Sequence, residues 1–211
     1  MMRRDVIASL AMLLAVASLA RATSAATSGA GSSCTHCAAG WRERLEQVIE
    51  PVVDGESTEL VPLAARAAAE WPNCRRWARD ATVVDTLVAA MQSHLRAGKR
   101  RLGAQRALEA SIRSFAWCDG PASVGEDLAR LDLLGQAAWF NARGVGVSLP
   151  GGCDSSVIRV SAHLHEHRKP TLATRLDSLA ARAASRGPGQ PSERDAHGLL
   201  DLVDEIEIAL R

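Results

Sequence analysis

From residue 39 to the C-terminus the apolar residues recur at spacings of three and four, and no stretch sustains a period of two. That spacing gathers side chains on one face of an α-helix, whereas a half-buried strand needs alternation. The expected fold class is all-α. A first apolar face runs through Leu45, Val48, Ile49 and Val52, turns at Asp54-Gly55, and is answered by Leu60, Ala64, Ala67 and Trp71. A second hairpin pairs Val84, Leu87, Val88 and Met91 with Ala104, Leu108, Ser111 and Phe115, across the turn Arg96-Ala-Gly98-Lys99. A third sets Val157, Val160, Ser161 and Leu164 against Leu172, Leu176, Leu179 and Ala183, with a break at Pro170. The hairpins start at 45, 84 and 157, and the second gap is about twice the first. One degenerate unit is expected between, built on Val124, Leu128, Leu131 and Leu134 and interrupted by Gly144 to Gly152. A lone helical hairpin cannot cover its own apolar face, so a short α-solenoid of stacked hairpins is the expected architecture, with an irregular helical bundle as the alternative.

Composition agrees with a single folded unit. The 211 residues are 47% hydrophobic and 23% charged, which disfavours wholesale disorder, a collagen-like fibre or a polytopic membrane protein. Beyond residue 22 the chain carries 22 basic and 23 acidic groups. No basic excess remains to bind phosphates, so a dedicated nucleic-acid binder is disfavoured.

The first residues read as an address rather than as part of the fold. A basic start at Arg3 and Arg4 precedes a 15-residue apolar run from Val6 to Ala20, and Ala20-Arg-Ala22 is a small-x-small cleavage site. The run is shorter than the ~20 residues that span a bilayer, so no stable membrane span is expected after cleavage. Arg3-Arg4-Asp5-Val6-Ile7 resembles a bacterial twin-arginine export signal, which implies export to the periplasm or beyond; ordinary secretion stays open. The expected organisation is a signal peptide over 1–22, a flexible linker with a Cys pair over 23–38, a helical-repeat domain over 39–186, a linker over 187–192, and a capping helix over 193–211.

Five cysteines, Cys34, Cys37, Cys74, Cys118 and Cys153, in an exported chain point to disulfides. Two bridges and one free thiol can be drawn in 15 ways, and nothing local selects among them. Cys34-Thr-His-Cys37 has the spacing of a redox dithiol, but a Thr-Ser-Gly-rich stretch precedes it where a strand is needed. Cys74 and Cys118 follow Trp71 and Trp117 and are expected to be buried at helix ends.

Residues 73–118, with Val83-Val-Asp-Thr-Leu-Val-Ala-Ala-Met91 followed by Ala104-Gln-Arg-Ala-Leu-Glu-Ala-Ser-Ile-Arg-Ser-Phe115, resemble one armadillo or HEAT-type helical repeat. The resemblance implies a curved surface for binding another protein and carries no catalytic residues.

Three groups of side chains bear on function. Arg106 and Arg113 on the second hairpin, and Arg175 and Arg182 on the third, are seven residues apart and share faces of their helices. Stacked, they would form a basic stripe for an acidic partner. His163 and His167 lie one turn apart, with His165 about 200° round the helix, and with Cys34 and Cys37 they are the alternative ligand set for zinc or copper. Glu46 with Glu50, and Asp201 with Glu205, are carboxylates one turn apart that lack a neighbouring His or Cys and read as solvated faces. The expected function is an exported, non-enzymatic helical-repeat protein that binds a protein or peptide, without a cofactor. The alternative is an exported helical bundle with a metal or redox site.

Overall fold

The computed structural model describes residues 34–185 and 191–211, so the expected signal peptide over 1–22 and most of the two expected linkers, 23–38 and 187–192, lie outside the described residues. Every regular element among the described residues is helical: α1 over 34–53, α2 Leu60–Cys74, α3 Ala81–Arg96, α4 Arg100–Ser114, α5 Val124–Ala142, α6 Cys153–Glu166, α7 Pro170–Ala183 and α8 Glu193–Leu210. A 3-10 turn, Arg75–Trp77, follows α2. The fold is all-α, as the apolar periodicity predicts. The expected hairpins are α1 with α2, α3 with α4, and α6 with α7.

Local chemistry marks the helix ends. Ser123 and Glu126 form a reciprocal capping box at the start of α5, and Ser192 accepts the Asp195 N–H at the start of α8; each satisfies backbone donors that a helix N-terminus leaves free. Pro170 opens α7, where its missing N–H costs nothing. Between α3 and α4 the chain reverses at Gly98, whose positive φ of 72° lets the Lys99 N–H reach back to the His94 carbonyl.

One core runs through all eight helices. In α1 the buried positions Cys34, Ala38, Trp41, Leu45, Val48 and Ile49 trace a stripe with offsets of three and four. In α5 the buried set is nearly continuous from Leu131 to Phe140, leaving only Asp132 half-buried, the mark of a helix enclosed on all sides. It packs against α4, α6, α7 and α8, and the α5–α8 contact is the broadest that α5 makes. Close approach there depends on Gly135, since a Cβ at that position would lie 2.8 Å from the Leu200 side chain. The C-terminal half thus closes round α5 as a bundle, while α3 and α4 stay a paired hairpin beside it. Leu199, Val203 and Ile206 of α8 face inward, and the acidic residues Asp201, Asp204, Glu205 and Glu207 face water.

The N-terminal half is clamped by two disulfides, Cys34–Cys118 and Cys37–Cys74. The Cys34–Cys37 segment, expected in a linker, belongs to α1 and to the folded body. Between the bridges Trp41, Trp71 and Trp117 form a cluster with ring centroids 5.0 to 5.3 Å apart, and all three are buried. Trp41 Nε1 donates to the Ala67 carbonyl at 3.0 Å, which ties α1 to α2. The bridges join α1 to the end of α2 and to the loop that follows α4, where Cys118 is half-buried and not at a helix end as expected, and the rings lie between them.

Leu108 has no exposed surface in the α3–α4 hairpin. Leu108→Ala is expected to cost about 2–5 kcal/mol, the range for a buried large-to-small change. Arg106 is half-buried and, among the described residues, its carboxylate partner is Glu109 on its own helix, so Arg106→Ala is expected to cost less than about 1 kcal/mol. Denaturant unfolding of both variants checks this; equal small losses would mean that the buried face of α4 is assigned wrongly.

Candidate functional site

Among the described cavities, one collects acidic groups from three helices. It has a volume of about 270 Å³ and is lined by Glu46 and Glu50 of α1, Asp132 of α5, and Asp204 and Glu207 of α8, with Leu128 and Val203 as apolar wall. No basic side chain is among the described residues that line it. Glu207 is engaged by Arg211 at 2.7 Å, and Asp132 accepts a hydrogen bond from Gln136 Nε2 at 2.7 Å. Among the described residues no ion pair engages Glu46, Glu50, Asp132 or Asp204 at salt-bridge distance.

The consequence is electrostatic. Enclosure pushes the Asp132 carboxyl well above the usual carboxylate range, and the charges of Glu46, Glu50, Asp204 and Asp54 push it further. Glu46 is raised first by burial and then by Glu50, with Arg42 offsetting part of the effect. Glu50 and Asp204 are raised by partial burial and by neighbouring acids. A carboxyl whose folded-state value exceeds its unfolded value binds extra protons in the folded state. Its stabilising effect is complete below the ordinary carboxylate range and is lost as pH rises through the raised values. At neutral pH the cavity is a place where added positive charge is welcome.

Glu50 is exposed, as expected of a solvated face, whereas Glu46 is half-buried, and both line an open acidic concavity that their spacing does not announce. Their partners Asp132 and Asp204 are distant in sequence, so the only local signal was the one-turn spacing of the two glutamates.

The four arginines expected to form a basic stripe each meet a carboxylate of the same molecule. Arg106 pairs with Glu109 at 2.6 Å, Arg113 with Asp80 at 2.7 Å, Arg175 with Glu205 at 2.7 Å and Arg182 with Asp195 at 2.8 Å. Two of these pairs tie α7 to α8. Arg175 and Arg182 flank a shallow, open hollow along α7 with Thr171, Thr174 and Ser178.

A different pair of charges is structural. Asp127 of α5 is fully enclosed and accepts from Arg159 at 2.6 and 2.7 Å and from Ser156 at 2.8 Å, both on α6. Burial alone raises such a carboxyl, but these hydrogen bonds outweigh it and hold Asp127 below its ordinary value.

The alternative ligand set of Cys34, Cys37, His163 and His167 does not assemble as a whole. Both cysteines are consumed in separate disulfides to Cys118 and Cys74, so they offer neither a dithiol nor thiolate ligands. The remaining thiol, Cys153, donates to the Pro150 carbonyl at 3.1 Å, and burial pushes its pKa up to about 11, which leaves it a poor nucleophile. His163 and His167 do come together, with ring centroids 4.2 Å apart at the end of α6. Glu166 joins them, a residue for which the sequence signal is the His-x-x-Glu-His spacing, a carboxylate beside two imidazoles one turn apart.

No protein-family model, curated protein sequence or solved structure matches the chain. No helix among the described residues is long and apolar enough to cross a membrane. The two disulfides are bonds that persist in oxidising compartments.

Proposed function

We propose that this chain is an exported, non-enzymatic helical binding protein whose cavity between α1, α5 and α8 receives a basic side chain of a protein or peptide partner. The observation that carries the reading is the convergence of carboxylates from three helices on one concavity with no basic residue in its lining. Its volume falls below the ~300–1,000 Å³ usual for pockets that engulf a drug-sized ligand, which suits the head of one lysine or arginine. The leader and the disulfides support export, and the armadillo or HEAT-type resemblance of residues 73–118 supports a scaffold role. A bound cation replaces mutual repulsion among Glu46, Glu50, Asp132 and Asp204 with attraction, so binding stabilises the same joint that ionisation weakens. The partner is therefore basic at the point of contact, in place of the acidic partner that the arginine spacing suggests.

Titration calorimetry of the mature protein with an arginine-rich peptide tests this. Binding is expected to weaken with salt, as charge attraction is screened, and to fade as pH falls through the raised carboxyl values. The Glu46→Gln/Asp132→Asn variant is expected to lose about tenfold or more in affinity. Capture of an acidic peptide instead, lost on changing Arg106 and Arg175 to Ala, would transfer the function to the arginines. Failure of both peptides to bind defeats the proposal.

A further inference from the structure

We propose that the C-terminal end of α6 is a surface site for a divalent transition metal of the zinc or copper class, held by His163, Glu166 and His167. One ligand atom from each residue lies within 4.8 Å of the other two. His163 Nδ1 is 3.4 Å from Glu166 Oε2, and the two imidazole rings lie 4.2 Å apart. Imidazole nitrogen and carboxylate oxygen are the donors these metals take, and three protein ligands leave a position open for water. All three side chains are half-buried or exposed, so closing on a metal needs only rotamer adjustment at a free surface.

Two independent features favour the site over a chance cluster. His167 Nδ1 lies 2.9 Å from the His163 carbonyl oxygen. A backbone carbonyl only accepts, so Nδ1 carries the proton and Nε2 keeps its lone pair; this is the arrangement that orients metal-binding histidines. His167 is also the C-cap of a 14-residue helix, and the partial negative charge of a helix C-terminus favours a cation there. The chain leaves the helix at once, with Arg168 at φ 58° and the Lys169 N–H donating to the Leu164 carbonyl at 2.8 Å. That reversal holds His167 at the helix end beside His163. Arg168 and Lys169 follow as exposed cations and work against metal capture.

The site is remote in sequence from the acid-lined cavity and shares no residue with it, so the two proposals fail separately. The experiment is equilibrium dialysis and calorimetry of the mature, untagged protein with Zn²⁺ alone, repeated with Cu²⁺ and with Mg²⁺ as a hard-cation control. The expected result is saturation at one Zn²⁺ per chain, tighter binding of Cu²⁺ by the usual order of divalent affinities, and no uptake of Mg²⁺ at this site. His163→Ala and His167→Ala are each expected to weaken Zn²⁺ binding at least about tenfold, and His165→Ala, on the opposite side of the helix, to leave it unchanged. Circular dichroism of each variant establishes that the helices persist. Absence of saturable Zn²⁺ uptake overturns the proposal, as does equal loss in His165→Ala. Zn²⁺ binding that survives in the His163→Ala/His167→Ala double variant, but disappears in Glu46→Gln/Asp132→Asn, would also overturn it by placing the metal in the acidic cavity.

Discussion

The Cys34→Ala/Cys118→Ala variant is expected to lose about 4–5 kcal/mol of unfolding free energy, measured by guanidinium denaturation at neutral pH. The bridge closes a loop of 84 residues, and chain-entropy arithmetic assigns about 4.6 kcal/mol to such a loop taken alone and about 4 kcal/mol with Cys37–Cys74 in place. For Cys37–Cys74, which closes 37 residues, the same arithmetic gives about 3.8 kcal/mol. The shorter loop lies inside the longer one, so each bridge already shortens the loop that the other closes. The pair together is therefore worth less than the sum. Against a typical total stability of about 5–15 kcal/mol, either loss is large, and full reduction is expected to unfold the N-terminal half first. Both cysteines are replaced together because a stranded partner thiol can exchange with the remaining bridge. The buried Cys153 thiol, with its raised pKa, is a poor competitor in that exchange. A loss below about 1 kcal/mol would show that the helix contacts alone constrain the chain, and that the bridges add little.

The two halves of this molecule differ in how much of them the sequence reveals. Helix faces are legible because they are local: Leu45, Val48 and Ile49, or Leu172 and Leu176, repeat within a single turn or two and have one way to leave water. The hairpins follow from short turns between such faces. What packs against what is not local. Nothing near Val124 to Phe140 announces that α5 is the element on which α6, α7 and α8 close, beyond the length of its apolar run. A stacked repeat and a closed bundle place the same demands on each helix taken singly, so periodicity admits both.

Charge is still harder to read. Arg113 and Asp80 are 33 residues apart, and Arg175 and Glu205 are 30 apart. An arginine spacing that looks like an open stripe is answered, for Arg113, Arg175 and Arg182, by carboxylates on other elements, and only Arg106 finds its partner, Glu109, on its own helix. The acidic cavity has the same origin in reverse, since Glu46, Asp132 and Asp204 meet only after three helices pack. Cysteine pairing follows the same logic. The tight Cys34-Thr-His-Cys37 spacing invites a local bridge, yet the two side chains, three residues apart on α1, bond to the loop after α4 and to the end of α2. The imidazole pair at His163 and His167, like Arg106 with Glu109, is set by spacing, because both members sit on one helix.

Trp41→Ala is expected to cost about 3–5 kcal/mol, the range for removal of a buried aromatic ring. Trp41 is 1% exposed and touches both other rings of the cluster, so its loss leaves a void bounded by Trp71 and Trp117 that rigid disulfides prevent from collapsing. Trp41→Phe separates the contributions: it retains most of the ring packing and removes the indole donor to the Ala67 carbonyl, so it is expected to cost about 1–2 kcal/mol. Near-UV circular dichroism should weaken in Trp41→Ala, since the chiral stacking of three indoles about 5 Å apart is broken, while far-UV helicity persists. The most informative measurement joins this variant to the removal of Cys34–Cys118. Both act where α1 meets the loop after α4, so the double loss should be smaller than the sum, by about 0.5–3 kcal/mol, because without the bridge the walls of the void can close. Strict additivity would mean that bridge and rings brace α1 independently. A cost for Trp41→Ala no greater than for Trp41→Phe would mean that the indole hydrogen bond, and not the ring cluster, holds the first two helices together.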